Sequence, residues 1–311
     1  MKLSIIVVNY NTYHLTKQTL DSVLEKNLAF EYEIMLVDNA SQDGSIEALE
    51  KEYVKEVEKG SVKIFRNTEN LGFSKANNRG IRESKGEYVL LLNSDTYIVD
   101  QALSDSLAYI ESENERCKEK KIGALGCKVV LPDGTLDHAC KRGFPTPEAS
   151  MYYFLKLDKK NPAKYGQYDA LHIGEDETGE VDCLMGAFML MPREVLDDVG
   201  LLDEDLFMYG EDIDLCYRIK EAGYKIVYYP EAKIIHYKGG SSKKRRGKII
   251  YDFHYAMWYF YKKHYVKQYS KVTSGVVYLG IWGKYGVARL KNSLKKSPQS
   301  VGGETRVTRE L

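Results

Sequence analysis

The sequence predicts an α/β protein built on a mostly parallel, doubly wound sheet, followed by a helical extension. Three observations indicate this fold. Short unbroken runs of aliphatic residues, beginning at residues 3–8, are typical of parallel strands buried on both faces. Segments with apolar residues at helical spacing alternate with these runs, which favours a doubly wound sheet. Beyond residue 248, apolar and aromatic residues repeat at the spacing of a helix face.

The first hundred residues contain predicted strands and helices in alternation. The strands are expected over residues 3–8, 33–38, 62–65 and 87–92, and the helices over residues 15–28, 45–58 and 74–83. Polar side chains follow each strand. Because ligands of doubly wound sheets bind beyond the carboxyl ends of the strands, we expect a ligand site at this edge.

The second half is less regular. A strand over residues 128–130 precedes a turn signal at 132–134, and residues 138–180 predict a long, partly helical excursion. The later elements are an apolar run over residues 183–191, helices over 194–199 and 213–222, a strand over 225–229 and a mobile basic loop over 241–247. The apolar helical face after that loop comprises Ile250, Phe253, Met257, Phe260 and Tyr261.

Composition limits the class of protein. The chain has 311 residues, of which 43% are hydrophobic and 29% charged, which suits one large domain with an appendage and excludes a polytopic membrane protein. The apolar run at residues 3–8 is too short for a signal peptide. The five cysteines form no CxxC pair, so we expect reduced thiols in the cytoplasm rather than a zinc site or a disulfide framework.

Charge is divided unevenly along the chain, although the net charge is zero. Residues 1–232 carry a net charge of −15, whereas residues 233–296 carry +15, with sixteen Lys and Arg against the single acid Asp252. This basic, aromatic-rich stretch suggests a surface for phosphates, either of membrane headgroups or of a lipid-linked acceptor. Its apolar segment 276–287 is shorter than the ~20 residues of a spanning helix. We expect that segment either to lie on a membrane or to pack on the body.

Three separated motifs carry side chains suited to catalysis. Asp95 ends a hydrophobic strand, Asp212 lies among three acids at a helix start, and His236 ends a later strand. Taken singly, such acids are more often caps or turn residues, and a lone histidine is more often structural. Together they could hold a divalent cation against a pyrophosphate leaving group and supply a carboxylate base for an incoming hydroxyl.

An ordered series of short motifs connects these side chains. The pieces are residues 4–11 (SIIVVNYN), 37–45 (VDNASQDGS), 70–80 (NLGFSKANNRG), 91–95 (LLNSD), 186–188 (GAF), 210–215 (GEDIDL) and His236. In this order they resemble the family-2 glycosyltransferases with a GT-A fold, and in particular the bacterial rhamnosyltransferase-like branch. The resemblance runs from about residue 2 to residue 240, and the whole series is specific although any one piece is weak.

The resemblance implies a nucleotide site in the first half of the chain. Asn9 and Asn11 would line the nucleotide pocket, and Asp38 would accept a hydrogen bond from N3 of a pyrimidine base, which favours uridine or thymidine. Gly72 would let the backbone approach the phosphates, and Asn78 would hold that loop.

The resemblance also implies a metal site. Asn93, Ser94 and Asp95 stand at the DxD motif of the family and would contact the nucleotide sugar. Asp95 would bind Mg²⁺ or Mn²⁺, and His236 would be the second protein ligand. Because the first Asp of DxD is Asn93 here, weaker metal binding is implied.

The remaining implied roles concern the acceptor. Asp212 would be the catalytic base. Gly186, Ala187 and Glu211 would lie beside the acceptor, and Arg218 would support the acidic loop.

These expectations define a metal-dependent, inverting hexosyltransferase. The implied donor is dTDP-L-rhamnose, with a UDP-hexose as the alternative, and the acceptor is a cell-surface glycan or a lipid-linked acceptor at the inner face of the cell membrane. The expected units are a transferase domain at 1–240 (nucleotide-sugar half 1–100, acceptor half 101–240), a basic aromatic helical extension at 241–296 and a flexible tail at 297–311.

Other classes of protein remain as alternatives. A catalytically inactive relative that only binds nucleotide sugars is supported by Asn93, but the retained Asp95, Asp212 and His236 oppose it. A nucleotidyltransferase would need a glycine-rich basic loop after its first strand, and residues 9–12 supply none. Nucleic acid is not an expected partner, because no recognised nucleic-acid motif accompanies the basic cluster.

Overall fold

The computed structural model describes residues 1–238 and 246–294, and it confirms the α/β fold class with a helical C-terminal region. The strands are β1 (Leu3–Asn9), β2 (Tyr32–Asp38), β3 (Val62–Arg66), β4 (Tyr88–Leu92), β5 (Thr96–Ile98), β6 (Ile122–Val130), β7 (Lys141–Arg142), β8 (Gly179–Glu180), β9 (Cys183–Leu184), β10 (Phe188–Pro192) and β11 (Lys225–His236).

The helices occupy the faces of the sheet and the C-terminal region. They are α1 (Tyr13–Leu24), α2 (Ser45–Glu52), α3 (Val54–Glu58), α4 (Phe73–Glu83), α5 (Ala102–Arg116), α6 (Pro147–Phe154), α7 (Pro162–Tyr165), α8 (Arg193–Val199), α9 (Glu211–Glu221), α10 (Arg246–Phe260) and α11 (Lys271–Leu294). The expected tail at 297–311 and most of the expected loop at 241–247 lie outside the described residues.

The central sheet has the strand order β3-β2-β1-β4-β10-β6-β11-β5, with β8 paired to β11, and β7 and β9 form a separate ribbon. The run from β3 to β4 is parallel, as alternating strands and helices predict. Beyond it the sheet is mixed. β10 runs antiparallel to β4 and β6, because the chain enters β10 at the carboxyl edge of β4 and runs back along it.

Strand pairing brings the motifs at the carboxyl ends of the strands to one edge of the sheet. Asn9 and Asp38 end β1 and β2 side by side. The backbone N–H of Asn93 donates to the carbonyl of Ala187 (3.1 Å), and that of Tyr237 donates to the carbonyl of Asp95 (2.8 Å). Motifs that are far apart in sequence are therefore fixed together by backbone hydrogen bonds.

One predicted helix is divided. The segment expected as a single helix over 45–58 forms α2 and α3, with a break at Tyr53. The buried Tyr53 hydroxyl donates to Asp21 Oδ1 (2.7 Å) and lies 3.1 Å from the carbonyl of Lys17 on α1. This tertiary contact accompanies a non-helical backbone conformation at Tyr53, and helical periodicity alone could not show it.

The C-terminal region is a hairpin of α10 and α11, joined by a π-helical turn (Tyr261–Tyr265) and packed on the body. Tyr217 of α9 forms a buried aromatic cluster with Phe260, Tyr261 and Tyr265. Part of the segment 276–287 packs inward, since Ile281 is buried. Among the helices of residues 1–238 and 246–294, none combines the length and apolar character that crossing a membrane requires.

Candidate active site

A large cavity of about 1180 Å³ lies at the carboxyl edge of β1 and β4 and extends towards the C-terminal hairpin. Nine of the residues predicted for the site line it: Gly72, Asn93, Ser94, Asp95, Gly186, Ala187, Glu211, Asp212 and His236. Asn9, Asn11, Asp38, Asn78 and Arg218 are not among its lining residues. The predicted set therefore divides into side chains that face the cavity and side chains that lie behind it.

Asn9 and Asp38 form a buried network behind the cavity wall. Asn9 Nδ2 donates to Asp38 Oδ1 (2.8 Å) and also lies 3.0 Å from the hydroxyls of Ser41 and Ser45. Asn9 Oδ1 accepts from two threonine hydroxyls of the next segment. Asn11 has a φ of +55° and accepts from the backbone N–H of Gln42 through its side chain. The network thus fixes the ends of β1 and β2 relative to one another.

The Gly72 loop is held by two asparagines that the sequence analysis did not single out. Asn39 Oδ1 accepts from the N–H of Leu71 (3.0 Å), and Asn70 Oδ1 accepts from that of Gly72 (3.0 Å). Gly72 has a φ of +87°, and a Cβ there would lie 2.5 Å from the carbonyl oxygen of Phe207. Glycine is therefore required both by backbone conformation and by this close approach.

Asn78 has a different contact from the one expected. Its amide exchanges hydrogen bonds with the backbone of Leu202 (2.8 and 3.1 Å) and donates to Glu204 (3.0 Å). Asn78 thus anchors the segment that leads to Phe207, which in turn contacts Gly72. Its connection to the Gly72 loop is indirect.

Asp95 and His236 are adjacent on the cavity wall. Pairing of β5 with β11 places His236 opposite Thr96, so its Nε2 lies 3.1 Å from Asp95 Oδ1. Its Nδ1 lies 3.5 Å from Asp137 Oδ2. Burial alone would lower the pKa of His236, but the hydrogen bonds to Asp137 and Asp95 raise that pKa to about 9.

Asp137 was missed by the sequence analysis. Its N–H donates to the carbonyl of Val129 (2.9 Å), because the turn at 132–134 folds the chain back along β6. Burial alone would raise the pKa of Asp137, but hydrogen bonds from His236 and Lys238 lower it to about 2. The turn signal was visible in the sequence, whereas the contact with a strand one hundred residues later was not.

The side chains around Asp95 and His236 show whether this part of the cavity could hold a divalent metal ion. Within the described residues, no group of three or more His, Cys, Asp and Glu side chains is arranged to hold a metal ion. Asp95 and His236 nevertheless offer one oxygen and one nitrogen side by side. Asn93 Oδ1 is buried and has no hydrogen-bond partner among the described residues. One carboxylate oxygen and one imidazole nitrogen, with an unpaired amide oxygen in the lining of the same cavity, would suit a cation that completes its coordination with phosphate oxygens or water.

Asp212 faces the cavity at the first turn of α9, and its partner is Arg142. Asp212 Oδ2 accepts from Arg142 Nη2 (2.7 Å), and each side chain is 14% exposed. Arg142 Nη2 also donates to the carbonyl of Leu184 (3.0 Å), since β7 pairs with β9. Arg142 was missed, because a two-residue strand leaves no periodic signal.

Glu211 lies beside Asp212 but is more deeply buried. The side chain is buried, and its Oε2 has no hydrogen-bond partner in the described part of the chain. Burial, together with the neighbouring charge of Asp212, raises the pKa of Glu211 well above its usual range. The two neighbouring acids therefore lie in different environments, since Asp212 has an arginine partner and Glu211 is buried beside it.

Residues 2–248 match the family model described as glycosyltransferase like family 2. The chain belongs to this family of glycosyltransferases. It is 27% identical over 255 residues to protein y4gI of Sinorhizobium fredii (77% of this chain, 25% of that one) and 26% identical over 242 residues to the O-antigen biosynthesis protein RfbC of Myxococcus xanthus (78% and 18%). The chain thus spans a quarter or less of the length of these two relatives.

Another relative is of comparable length. The chain is 30% identical over 223 residues to the N-acetylglucosaminyl-diphospho-decaprenol L-rhamnosyltransferase of Mycobacterium tuberculosis, and the match covers 67% of each chain. Among solved structures, it resembles a mannosyltransferase of Pyrobaculum calidifontis in complex with GDP-Man and Mn²⁺ (TM-score 0.58, 17% identity, 95% of this chain and 76% of that one). It also resembles S. aureus TarS 1–349 in complex with UDP-GlcNAc (TM-score 0.57, 20%, 96% and 77%). These likenesses show the GT-A fold.

The acidic motif at the start of α9 also faces the C-terminal hairpin. Asp214 is fully buried and accepts hydrogen bonds from Arg218 Nε (2.9 Å) and His264 Nε2 (2.7 Å), with Lys263 Nζ at 2.7 Å. Burial alone would raise the pKa of Asp214, but the contacts with His264 and Lys263 lower it to about 2. Arg218 also donates to the carbonyls of residues 199–201, so it supports the segment before the acidic loop.

The far wall of the cavity is formed mainly by apolar residues of α6, α10 and α11. Met151 and Phe154 of α6, Met257 of α10 and Ile281 of α11 are among its lining residues. The family model ends at residue 248, so most of the hairpin lies beyond the matched region. The chain therefore completes its cavity partly with helices outside the matched region.

Proposed function

We propose that this chain is a metal-dependent, inverting glycosyltransferase that moves a sugar from a nucleoside diphosphate to an acceptor hydroxyl. The proposal is carried by one observation: Asp212 lines the same cavity as the Asp95–His236 pair. A base and a site for the leaving diphosphate can therefore act on one bound sugar.

The reaction is a single displacement. The acceptor oxygen attacks the anomeric carbon while the bond from that carbon to the diphosphate oxygen breaks, which inverts the configuration. The acceptor proton passes to the carboxylate of Asp212, and the nucleoside diphosphate departs. Arg142 Nη2, 2.7 Å from Asp212 Oδ2, holds the carboxylate in one orientation. Gly186 and Ala187 would lie beside the acceptor, as would the protonated Glu211.

The residues fit a divalent cation at Asp95 and His236. The contact of His236 Nδ1 with Asp137 would leave Nε2 available as a ligand, because a carboxylate behind a metal-binding histidine fixes the orientation of its ring. A bound Mg²⁺ or Mn²⁺ would neutralise the charge that develops on the departing diphosphate. The likeness to a mannosyltransferase solved with Mn²⁺ supports this assignment.

For the donor we propose dTDP-L-rhamnose, with a UDP-hexose as the second candidate. The 30% identity to a rhamnosyltransferase favours the first, and the likeness to a protein in complex with UDP-GlcNAc favours the second. In either case the Gly72 loop would contact the phosphates, with Asn93 and Ser94 beside them. Asp38, which is buried behind the cavity wall, would support the nucleotide pocket through its bonds to Asn9 and to the Ser41 N–H rather than contact the pyrimidine itself. The proposed acceptor is a cell-surface glycan or a lipid-linked acceptor at the inner face of the membrane, where the basic C-terminal region would hold the enzyme.

A thermal-shift panel tests the donor site. UDP, dTDP, GDP and their sugars are compared with and without Mn²⁺, and the preferred ligand should raise the melting temperature most, and more with Mn²⁺ than with EDTA. Product anomeric configuration, read by NMR, then tests inversion. Retention of configuration would refute the single displacement. No shift with any nucleotide would refute the donor site.

A second candidate function is that of a catalytically inactive protein that only binds nucleotide sugars, and Asn93 in place of the first Asp of DxD favours it. It predicts that nucleotide sugars stabilise the protein but are not turned over with Mn²⁺ and a glycan or lipid-linked acceptor. Turnover that Asp212→Asn removes would exclude this alternative.

A further inference from the structure

The outer face of α11 carries a stripe of exposed apolar side chains. Ile281 is buried, and Ser274 Oγ lies 2.9 Å from the hydroxyl of Tyr261, so these positions face the body. The opposite face repeats at intervals of three and four residues, as one face of a helix does. Its apolar members are Val272, Val276, Leu279, Val287, Leu290 and Leu294, which are between 52% and 82% exposed. We call this set the outer stripe.

Cations flank the outer stripe on both sides. Helical positions place Lys284 and Lys291 along one flank, and Lys271 and Arg289 along the other. No Asp or Glu occurs anywhere in α11. An apolar face bordered by Lys and Arg is the pattern of a helix that lies in the plane of an anionic membrane, with its cations reaching the headgroups.

One cationic flank of α11 reaches the mouth of the cavity. Lys284 Nζ lies 3.2 Å from the ring centroid of Phe154 at the end of α6, and both residues line the cavity. Met151, Phe154 and Leu155 at this end of α6 are themselves largely exposed. The exposed apolar end of α6 therefore lies beside the Lys284 flank of α11, at the edge of the cavity.

We propose that the outer stripe and the exposed end of α6 dock on an anionic lipid bilayer, so that the cavity opens against the membrane surface. This inference identifies the surface through which the peripheral location proposed above would be achieved. A second copy of the chain is a poorer occupant, because its cationic flanks would meet like charges. The 24 residues of α11 span about 36 Å, enough for several headgroups along one helix.

Vesicle co-sedimentation of the full chain tests the surface. The protein should bind vesicles containing phosphatidylglycerol and should be released by high salt, with much weaker binding to pure phosphatidylcholine vesicles. The double variant Leu279→Glu/Leu290→Glu should reduce the partition coefficient at least about tenfold. A second variant, Lys271→Gln/Arg289→Gln/Lys291→Gln, should lose binding mainly at low salt.

The matched control is Val54→Glu/Val57→Glu, which adds the same charge at two exposed valines of α3. It should bind vesicles as the wild type does. All variants should keep the wild-type melting temperature and the wild-type stabilisation by nucleotide, which separates this test from that of the chemistry. Wild-type protein that ignores anionic vesicles, or equal losses in control and stripe variants, would overturn the docking surface. So would a wild-type dimer in light scattering that the stripe variant converts to a monomer.

Discussion

The two ends of the cavity are built in different ways. At the end proposed for the nucleotide (the nucleotide end), Asn9, Asp38, Asn39 and Asn70 are joined by hydrogen bonds to one another or to the adjoining backbone. At the end that holds the proposed base, Asp212 (the base end), that side chain depends on one partner, Arg142, and a neighbouring carboxyl oxygen of Glu211 has none among the described residues. The first end is thus set by consecutive parallel strands, and the second by contacts between distant segments. We expect the nucleotide end to govern affinity and the base end to govern rate.

The sharpest test of this division is Asp212→Asn. Removing the base should lower turnover of the preferred nucleotide sugar by about a thousandfold, since general base catalysis contributes roughly that much. Nucleotide affinity, measured by calorimetry, should stay within about threefold of the wild type. The control is Glu211→Gln, which replaces a protonated carboxyl group by an amide and should cost less than about tenfold in rate. A large loss in Glu211→Gln with little loss in Asp212→Asn would reverse the roles of the two acids.

Arg142→Lys tests whether the guanidinium positions the base. A lysine keeps the charge but cannot hold both Asp212 and the carbonyl of Leu184 in the same geometry. We expect kcat to fall about thirtyfold, with KM for the donor nearly unchanged. Arg116→Lys, at the exposed end of α5, is the matched control and should leave both constants unchanged. A rise in KM without a change in kcat would place Arg142 at the donor instead.

The nucleotide end is probed by Asn9→Ala. This change leaves the buried Asp38 without its 2.8 Å partner and removes two bonds to serine hydroxyls. The free energy of unfolding should fall by about 3 kcal/mol, and nucleotide binding should weaken about tenfold, while the rate at saturating donor changes little. Ser41→Ala should give a smaller effect of the same kind. Normal nucleotide affinity in Asn9→Ala would separate this network from the donor site.

The smallest expected effect concerns Asp214, which connects the base end to the hairpin. Its folded-state pKa of about 2 lies below that of an unfolded chain, so its contribution is present above about pH 4 and disappears as the pH falls towards 2. Asp214→Asn should therefore lower stability by about 2 kcal/mol at pH 7 and by much less near pH 2.

Urea unfolding at several pH values measures this difference, and Glu115→Gln on the exposed side of α5 is the control. A constant difference at all pH values would contradict the ionic origin of the contribution.

The contrast between consecutive parallel strands and contacts of distant segments also explains which parts of the site could be predicted from the sequence. The parallel strands and the residues that end them were predictable, because a buried strand and the helix after it are coded by adjacent residues. Asp95 and His236 were expected together, and they lie 3.1 Å apart. Asp137 and Arg142 were not expected, since each reaches the site through a short turn or a two-residue strand. Asn78 was expected to hold the Gly72 loop, and it reaches that loop only indirectly, through its bonds to Leu202 and the contact of Phe207 with Gly72.

The position of Asp214 has a practical consequence for engineering. Its charge is buried between Arg218 of the matched region and the His264–Lys263 pair of the hairpin. A chimera that exchanges the hairpin to alter acceptor preference would need to carry an imidazole and an ammonium group at these two places. Without them, the buried carboxylate of Asp214 would keep only Arg218 as a cationic partner. The resulting destabilisation would affect the first turn of α9, which positions Asp212.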